Sequence, residues 1–371
     1  MDRTSWTKAH LRDAVRWNSS EQIEIATVLA AGLGMAIPVL VGLAVGHLGL
    51  GLAAGMGALA AGSIPIEPGI RNFIGSQLRA FGPTIVAVAV SVILDGHGWL
   101  GRIGVVSLVA AAALIRGLHR QIAMLATKFI LFLLIASAMP LPAGPDSAKI
   151  AIGLLVLVIC GATWTASLEG MFRVFLRPRP SSEVALVRAA PTWSQSVRRW
   201  LRSLRTIAGW SYTIRIALSV AVSEALEAIW PTHHLHWIGL TAAIIMPRQA
   251  ELMPVKTTQR ALGTFIGVIL ASLLLSPSMP SWMIVCAFGI LAGVRPLLRT
   301  SSYLAYSVVM TPLMVLITSA GQENERGVLL DRLVATLLGA MLVTATGLLI
   351  RYFEKRAPEQ AKPESIWSRP P

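Results

Sequence analysis

Apolar runs separated by short polar, glycine- or proline-bearing breaks divide this chain into two blocks of six. In the first block they fall near 23–45, 47–65, 77–94, 99–115, 121–139 and 149–168, and in the second near 212–230, 235–247, 259–275, 281–294, 301–319 and 328–351. Crossing about 30 Å of hydrocarbon takes about 20 helical residues, so most runs have spanning length and those at 235 and 281 are short. Backbone groups in lipid must be satisfied within the segment, which selects helices over single strands. The pattern therefore predicts an all-α membrane protein of about twelve transmembrane helices.

Composition agrees: 54% of the 371 residues are hydrophobic and 13% charged, and the mean hydropathy is +0.66. Too few polar groups remain to cover a soluble globule. The net charge of +14 is not a nucleic-acid footprint, because the bases punctuate apolar runs instead of clustering on one soluble face. They report orientation. With both termini cytoplasmic, all of the 32 Lys and Arg except Arg102, Lys149, Arg326 and Arg332 fall on the inner side of alternate loops, as the positive-inside rule requires. Trp99, Trp230, Trp237 and Trp282 then mark outer interfaces, and Trp210 and Tyr212 an inner one. A multi-pass protein of the bacterial plasma (inner) membrane is expected, with the lipid bilayer as its surroundings and no nucleic-acid partner.

The blocks read as copies. Arg79-Ala-Phe-Gly82 recurs 181 positions on as Arg260-Ala-Leu-Gly263, and Leu131–Ser137 falls on Pro312–Thr318 at the same offset. Six spans per copy is an even number, so the copies run in the same direction, a parallel pseudo-dimer related by an axis along the membrane normal. The expected parts are a cytoplasmic N-terminal segment (1–22), the first repeat (23–170), a basic cytoplasmic linker (171–211), the second repeat (212–352) and a disordered tail (353–371). Within the linker, Thr192–Arg205 fits one basic amphipathic helix at the head groups. Gly263, Thr264 and Gly267 place small residues along one helical face, where backbones can approach closely, and Gly82 is the counterpart in the first copy. The structural reading of Arg79 and Arg260 is that of snorkelling anchors.

The run His236-Trp-Ile-Gly-Leu-Thr-Ala-Ala-Ile-Ile-Met-Pro247, followed by Gln259-Arg-Ala-Leu-Gly-Thr-Phe-Ile-Gly267 and later Asp331-Arg-Leu-Val-Ala-Thr-Leu-Leu-Gly-Ala340, resembles the recurrent segments of the FUSC superfamily of fusaric acid resistance and aromatic acid exporter proteins. The first copy is more divergent: Pro83 stands where the second has Thr264, and no tryptophan matches Trp237. The resemblance implies efflux of small organic, often aromatic, anions. A passive organic-anion channel of the same architecture is the alternative, and a membrane enzyme or assembly partner in envelope biogenesis a more remote one.

For an anion path the candidates are Arg260, its counterpart Arg79, Arg248 and Arg215 as fixed positive charge, with Trp237 as an apolar wall. Arg332, beside Asp331, reads as a surface ion pair. Glu224 and Glu227, three residues apart, share a helix face; two carboxylates in low dielectric do not both ionise readily, so they are the candidates for proton coupling. His233, His234 and His236 lack neighbouring Cys or acidic ligands, and Cys160 and Cys286 lack metal-site spacing, so no metal is expected. No Walker-type loop is present, and no nucleophile, base and orienting group converge. The expectation is a transporter without cofactor or enzymatic centre, and a homo-oligomer is compatible with it.

Overall fold

The computed structural model describes residues 24–61, 70–138, 147–176, 192–231, 233, 235–246, 253–275, 280–319 and 325–356. These form thirteen helices among the described residues: α1 (Ile25–Ala44), α2 (Leu48–Ala61), α3 (Ile70–Leu94), α4 (Gly98–Ile115), α5 (Arg120–Ser137), α6 (Ser147–Leu176), α7 (Trp193–Ser203), α8 (Ile207–Ile229), α9 (His236–Ile245), α10 (Met253–Leu274), α11 (Ser281–Ser301), α12 (Tyr303–Ser319) and α13 (Glu325–Arg356). Among the described residues, the body of each apolar run lies on one helix. Seven are long and apolar enough to cross a membrane, namely those carrying Ile25–Ala44, Gly98–Ile115, Arg120–Ser137, Lys149–Leu176, Val255–Leu274, Ser281–Ser301 and Leu329–Ile350. Four others are shorter apolar helices, Leu48–Leu59, Phe81–Leu94, His236–Ile245 and Tyr303–Ile317. α8 has the length but falls outside both groups, because Arg215, Glu224, Glu227 and several serines interrupt it.

Some boundaries move. The run near 281 is not short: it continues through Arg295 and Arg299 to Ser301, placing two arginines expected in a loop inside α11. The run near 235 stays short, ten residues in α9. The linker narrows, since α6 reaches Leu176 and α8 begins at Ile207, and α13 continues to Arg356 where a tail was expected. The N-terminal segment, residues 177–191 and the rest of the tail lie outside the described residues.

Helix pairing follows one plan in both blocks. In the first, α1 packs on α2 and α6, α2 on α6, α3 on α5 and α6, and α4 on α5. In the second, α8 packs on α9 and α13, α9 on α13, α10 on α12 and α13, and α11 on α12. Between the blocks, α1 lies on α11 and α8 on α4, with a smaller contact of α9 on α5. The two main hydrophobic cores each draw on both blocks, one joining Val109 and Ile130 to Ile216 and Ile238, the other joining Met35 and Val39 to Phe288 and Leu313.

Close helix contact rests on absent side chains. A Cβ on Gly32 of α1 would stand 2.9 Å from the carbonyl of Gly289 in α11, and one on Gly293 would stand 3.2 Å from that of Val28, so these helices are antiparallel and touch through their backbones. On α10, a Cβ at Gly263 would lie 2.5 Å from Ser307 Cβ, and one at Gly267 would lie 2.6 Å from Thr311 Cβ. α10 and α12 are therefore parallel and in register. Gly82, in contrast, has nothing within 4 Å of an added Cβ; the close approach expected of both copies is absent at this position of the first.

The amphipathic helix expected in the linker is α7. Thr192 closes a capping box with Gln195, and the Trp200 indole donates to the Leu114 carbonyl at 3.0 Å. Arg198, Arg199, Arg202 and Arg205 remain exposed. Arg116, just past the end of α4, stacks on Tyr212 of α8 at 4.5 Å, so α7 and its neighbours tie the first block to the second at this end.

Candidate functional site

Buried polar side chains concentrate in the second block and follow helical periodicity. On α8, Ser211, Arg215, Ser219, Ser223 and Glu227 recur every fourth residue and so share a face; Arg215, Ser219 and Ser223 are buried. Tyr303, Ser307 and Thr311 repeat the spacing on α12, Arg260 and Thr264 on α10, Arg332 and Thr336 on α13, and Trp237 and Thr241 on α9. In the first block the buried polar or charged side chains described are Thr84, Ser91, Thr165 and Glu169.

These faces meet. Ser223 Oγ accepts from the Gly239 amide at 2.9 Å and donates to the Leu235 carbonyl at 3.1 Å, joining α8 to α9. A Cβ at Gly339 of α13 would contact Thr241 Cβ at 3.0 Å. The Arg332 guanidinium lies 3.5 Å over the Trp237 ring, and Arg332 and Arg260 stand within electrostatic reach of each other. Tyr303 lies near Ser307 and within reach of Arg260.

Arg215, Arg260 and Arg332 are the largest fully buried side chains, Arg260 and Arg332 at 1% exposure each. An anchor that snorkels carries its guanidinium to the interface; Arg260 does not. Each of these two begins two turns inside its helix, roughly 10 Å from the first residue at 1.5 Å per residue. Among the described residues neither forms an ion pair with a carboxylate. Arg260 Nε, Arg332 Nε and Nη1, and the hydroxyls of Ser219, Thr241 and Thr264 complete no hydrogen bond. Buried polar atoms are ordinarily satisfied, so open donors on two buried guanidiniums mark a place suited to a polar, negatively charged guest. Arg215 is engaged differently, its Nε donating to the Ser211 carbonyl at 3.2 Å.

The remaining sequence candidates sit elsewhere. Trp237, expected at the outer interface and as a path wall, is buried beneath Arg332. Arg332 is not a surface ion pair, because its neighbour Asp331 turns instead to His233, Oδ1 to Nδ1 3.1 Å. Glu224 lies 3.3 Å from Arg102 of α4, which also donates to the Glu224 carbonyl at 2.8 Å. Glu227 accepts from the His236 amide at 2.9 Å, with the His236 ring 3.6 Å away. The acidic pair is thus two separately partnered carboxylates at one end of α8. Arg79 lies in α3 with its side chain outside the described residues, and Arg248 lies outside them altogether. Arg295 donates to the carbonyls of Leu59 and Ala58 at 3.1 and 3.4 Å, satisfying the C-terminal end of α2.

Sequence reasoning missed Arg332, Tyr303 and Ser307. The signal was available: polar residues at i and i+4 on otherwise apolar helices give each helix a polar face, and five such helices in one block imply a shared polar interior.

Residues 218–346 match the fusaric acid resistance protein-like family. The matched stretch runs from within α8 to within α13 and contains Arg260, Arg332, Trp237, Tyr303 and Ser307. The resemblance carried by the sequence motifs and this match fall on the same half of the chain. Comparison with curated proteins and with solved structures yields no match. With several helices long and apolar enough to span, the chain is a multi-pass α-helical membrane protein.

Proposed function

We propose that the protein passes small organic anions across the plasma membrane through the interior of its second block, with Arg260 and Arg332 as the fixed positive charge. The observation that carries this is the pair of fully buried guanidiniums without carboxylate partners among the described residues. A charge buried without a counter-charge costs several kcal/mol, and ionisable residues inside membrane segments generally mark substrate or ion pathways. Tyr303, Ser307 and Thr264 supply neutral donors, and the Trp237 ring holds Arg332 in place from one side. The fusaric acid resistance protein-like match supports export as the direction and aromatic acids as a starting set of substrates.

We read the architecture as twelve spans in two parallel copies with both termini cytoplasmic. The support is the exchange of partners: every main pairing within the first block recurs in the second, and the two largest contacts between blocks, α1 on α11 and α8 on α4, are one another's images when the blocks are swapped, while the smaller contact of α5 with α9 departs from that exchange.

A passive anion path is the second reading, and the Glu224–Arg102 pair favours it, because Glu224 can serve as a proton carrier only by giving up that partner. Proteoliposomes loaded with benzoate test both. Flux that falls at least tenfold in Arg260→Gln and in Arg332→Gln supports the arginine path, and unchanged flux in both removes it. Accumulation of benzoate against its gradient under an imposed pH difference identifies proton coupling, and its absence the passive path.

A further inference from the structure

Resting on that reading of Arg260 and Arg332, the charge balance of the same site points further: we infer that it is built for a dianion, a compact organic molecule carrying two acidic groups. Two guanidiniums are buried at 1% exposure on separate helices, α10 and α13, and no described carboxylate pairs with either. Arginine keeps its charge in proteins, so Arg260 and Arg332 place two positive charges within reach of each other, while Arg215 is engaged with its own helix at the Ser211 carbonyl. A monoanion neutralises one and leaves the other buried and uncompensated. A dianion neutralises both and relieves their mutual repulsion.

The donor set matches that count. Arg260 Nε stands one helical turn from Thr264, whose hydroxyl also completes no hydrogen bond, and within reach of Tyr303, which faces Ser307. Arg332 Nε and Nη1 stand on the Trp237 side, with Thr241 one helical turn from Trp237. Two clusters of unsatisfied donors, each with its own guanidinium, suit two acidic groups on one molecule. The buried acids do not compete: Glu224 and Glu227 have their own partners in Arg102 and His236, and Glu169 pairs with Arg173 at 2.8 Å.

The test compares shape-matched ligands that differ by one charge: terephthalate against 4-carbamoylbenzoate, and glutarate against glutaramate. Binding is measured by titration calorimetry on the purified protein in neutral detergent at pH 7.5. The expected result is that, in at least one pair, the dianion binds about tenfold or more tighter than its amide partner, since one charge-assisted hydrogen-bonded contact is lost in the amide. Arg332→Gln, and separately Arg260→Gln, should each shrink or invert that preference while retaining binding of the monoanion. Equal or tighter binding of the amides in the unsubstituted protein overturns the dianion inference and leaves the anion path standing. Absence of binding by all four compounds overturns both. Should either variant fail to fold, the comparison in the unsubstituted protein still decides, and Arg332→Lys, which keeps the charge, should keep the preference.

Discussion

Replacing Gly263 by alanine and Gly82 by alanine should move stability in opposite directions, although the two residues occupy corresponding places in the Arg-Ala-x-Gly repeat. In a helix interior, Gly to Ala is worth about 1 kcal/mol in favour of the folded state when nothing is in the way. At Gly82 an added Cβ meets nothing within 4 Å, so Gly82→Ala should stabilise by up to about 1 kcal/mol. At Gly263 the same methyl would stand 2.5 Å from Ser307 Cβ and 2.8 Å from the Leu304 carbonyl, about 1 Å inside ordinary contact. Both neighbours are fixed by the backbone of α12, so α10 and α12 must separate. Overpacking of this kind costs about 1–3 kcal/mol, which outweighs the propensity gain and leaves Gly263→Ala destabilised by up to about 2 kcal/mol. Unfolding of the purified protein in mild detergent, followed by tryptophan fluorescence against increasing sodium dodecyl sulfate, gives the two differences directly. Stabilisation by both substitutions would refute the close α10–α12 approach, and destabilisation by both would refute the open surroundings of Gly82.

Two further outcomes follow from the contacts between blocks and with lipid. A double-mutant cycle on Arg102→Gln and Glu224→Gln should return a coupling of about 1 kcal/mol, the scale of a part-exposed ion pair; additive effects would mean that the two side chains do not pair across α4 and α8. Cys160 and Cys286 are exposed on α6 and α11, two helices long and apolar enough to span, so in intact membrane vesicles both should resist a sulfonated maleimide. Rapid labelling of either by that reagent would place its helix in water.

The helices are legible in the sequence because lipid imposes a long, simple signal: among the described residues the body of each apolar run forms one helix, and the amphipathic stretch Thr192–Arg205 contains α7. Charge misleads as a boundary marker. Arginines usually end spans, which points Arg295 and Arg299 to a loop, yet Arg295 is buried where it can satisfy the end of α2. Adjacency suggests an ion pair between Arg332 and Asp331, but adjacent residues on a helix point in different directions. Residue type alone puts Trp237 at the outer interface, whereas its ring is covered by Arg332. In each case the deciding contact comes from a helix far away in the chain, which hydropathy does not encode.

The asymmetry between blocks fits the proposal of a single site in the second. At the offset of 181, Arg215, Ser219 and Ser223 fall on Gly34, Pro38 and Gly42; Ser307 and Thr311 fall on Ala126 and Ile130; Arg332 and Thr336 fall on Ala151 and Leu155. Every one of these polar side chains is met by an apolar residue or glycine, and of the three fully buried arginines only Arg260 has an arginine counterpart, Arg79. On the reading that the blocks are copies, the first has become scaffold. Its helices supply packing, through Gly32 against Gly289 and through the carbonyls that Arg295 satisfies, and leave the second free to hold uncompensated charge. Low dielectric favours that division: a single polar interior concentrates both guanidiniums on one guest, whereas two half-equipped interiors would each bury a charge with less to balance it.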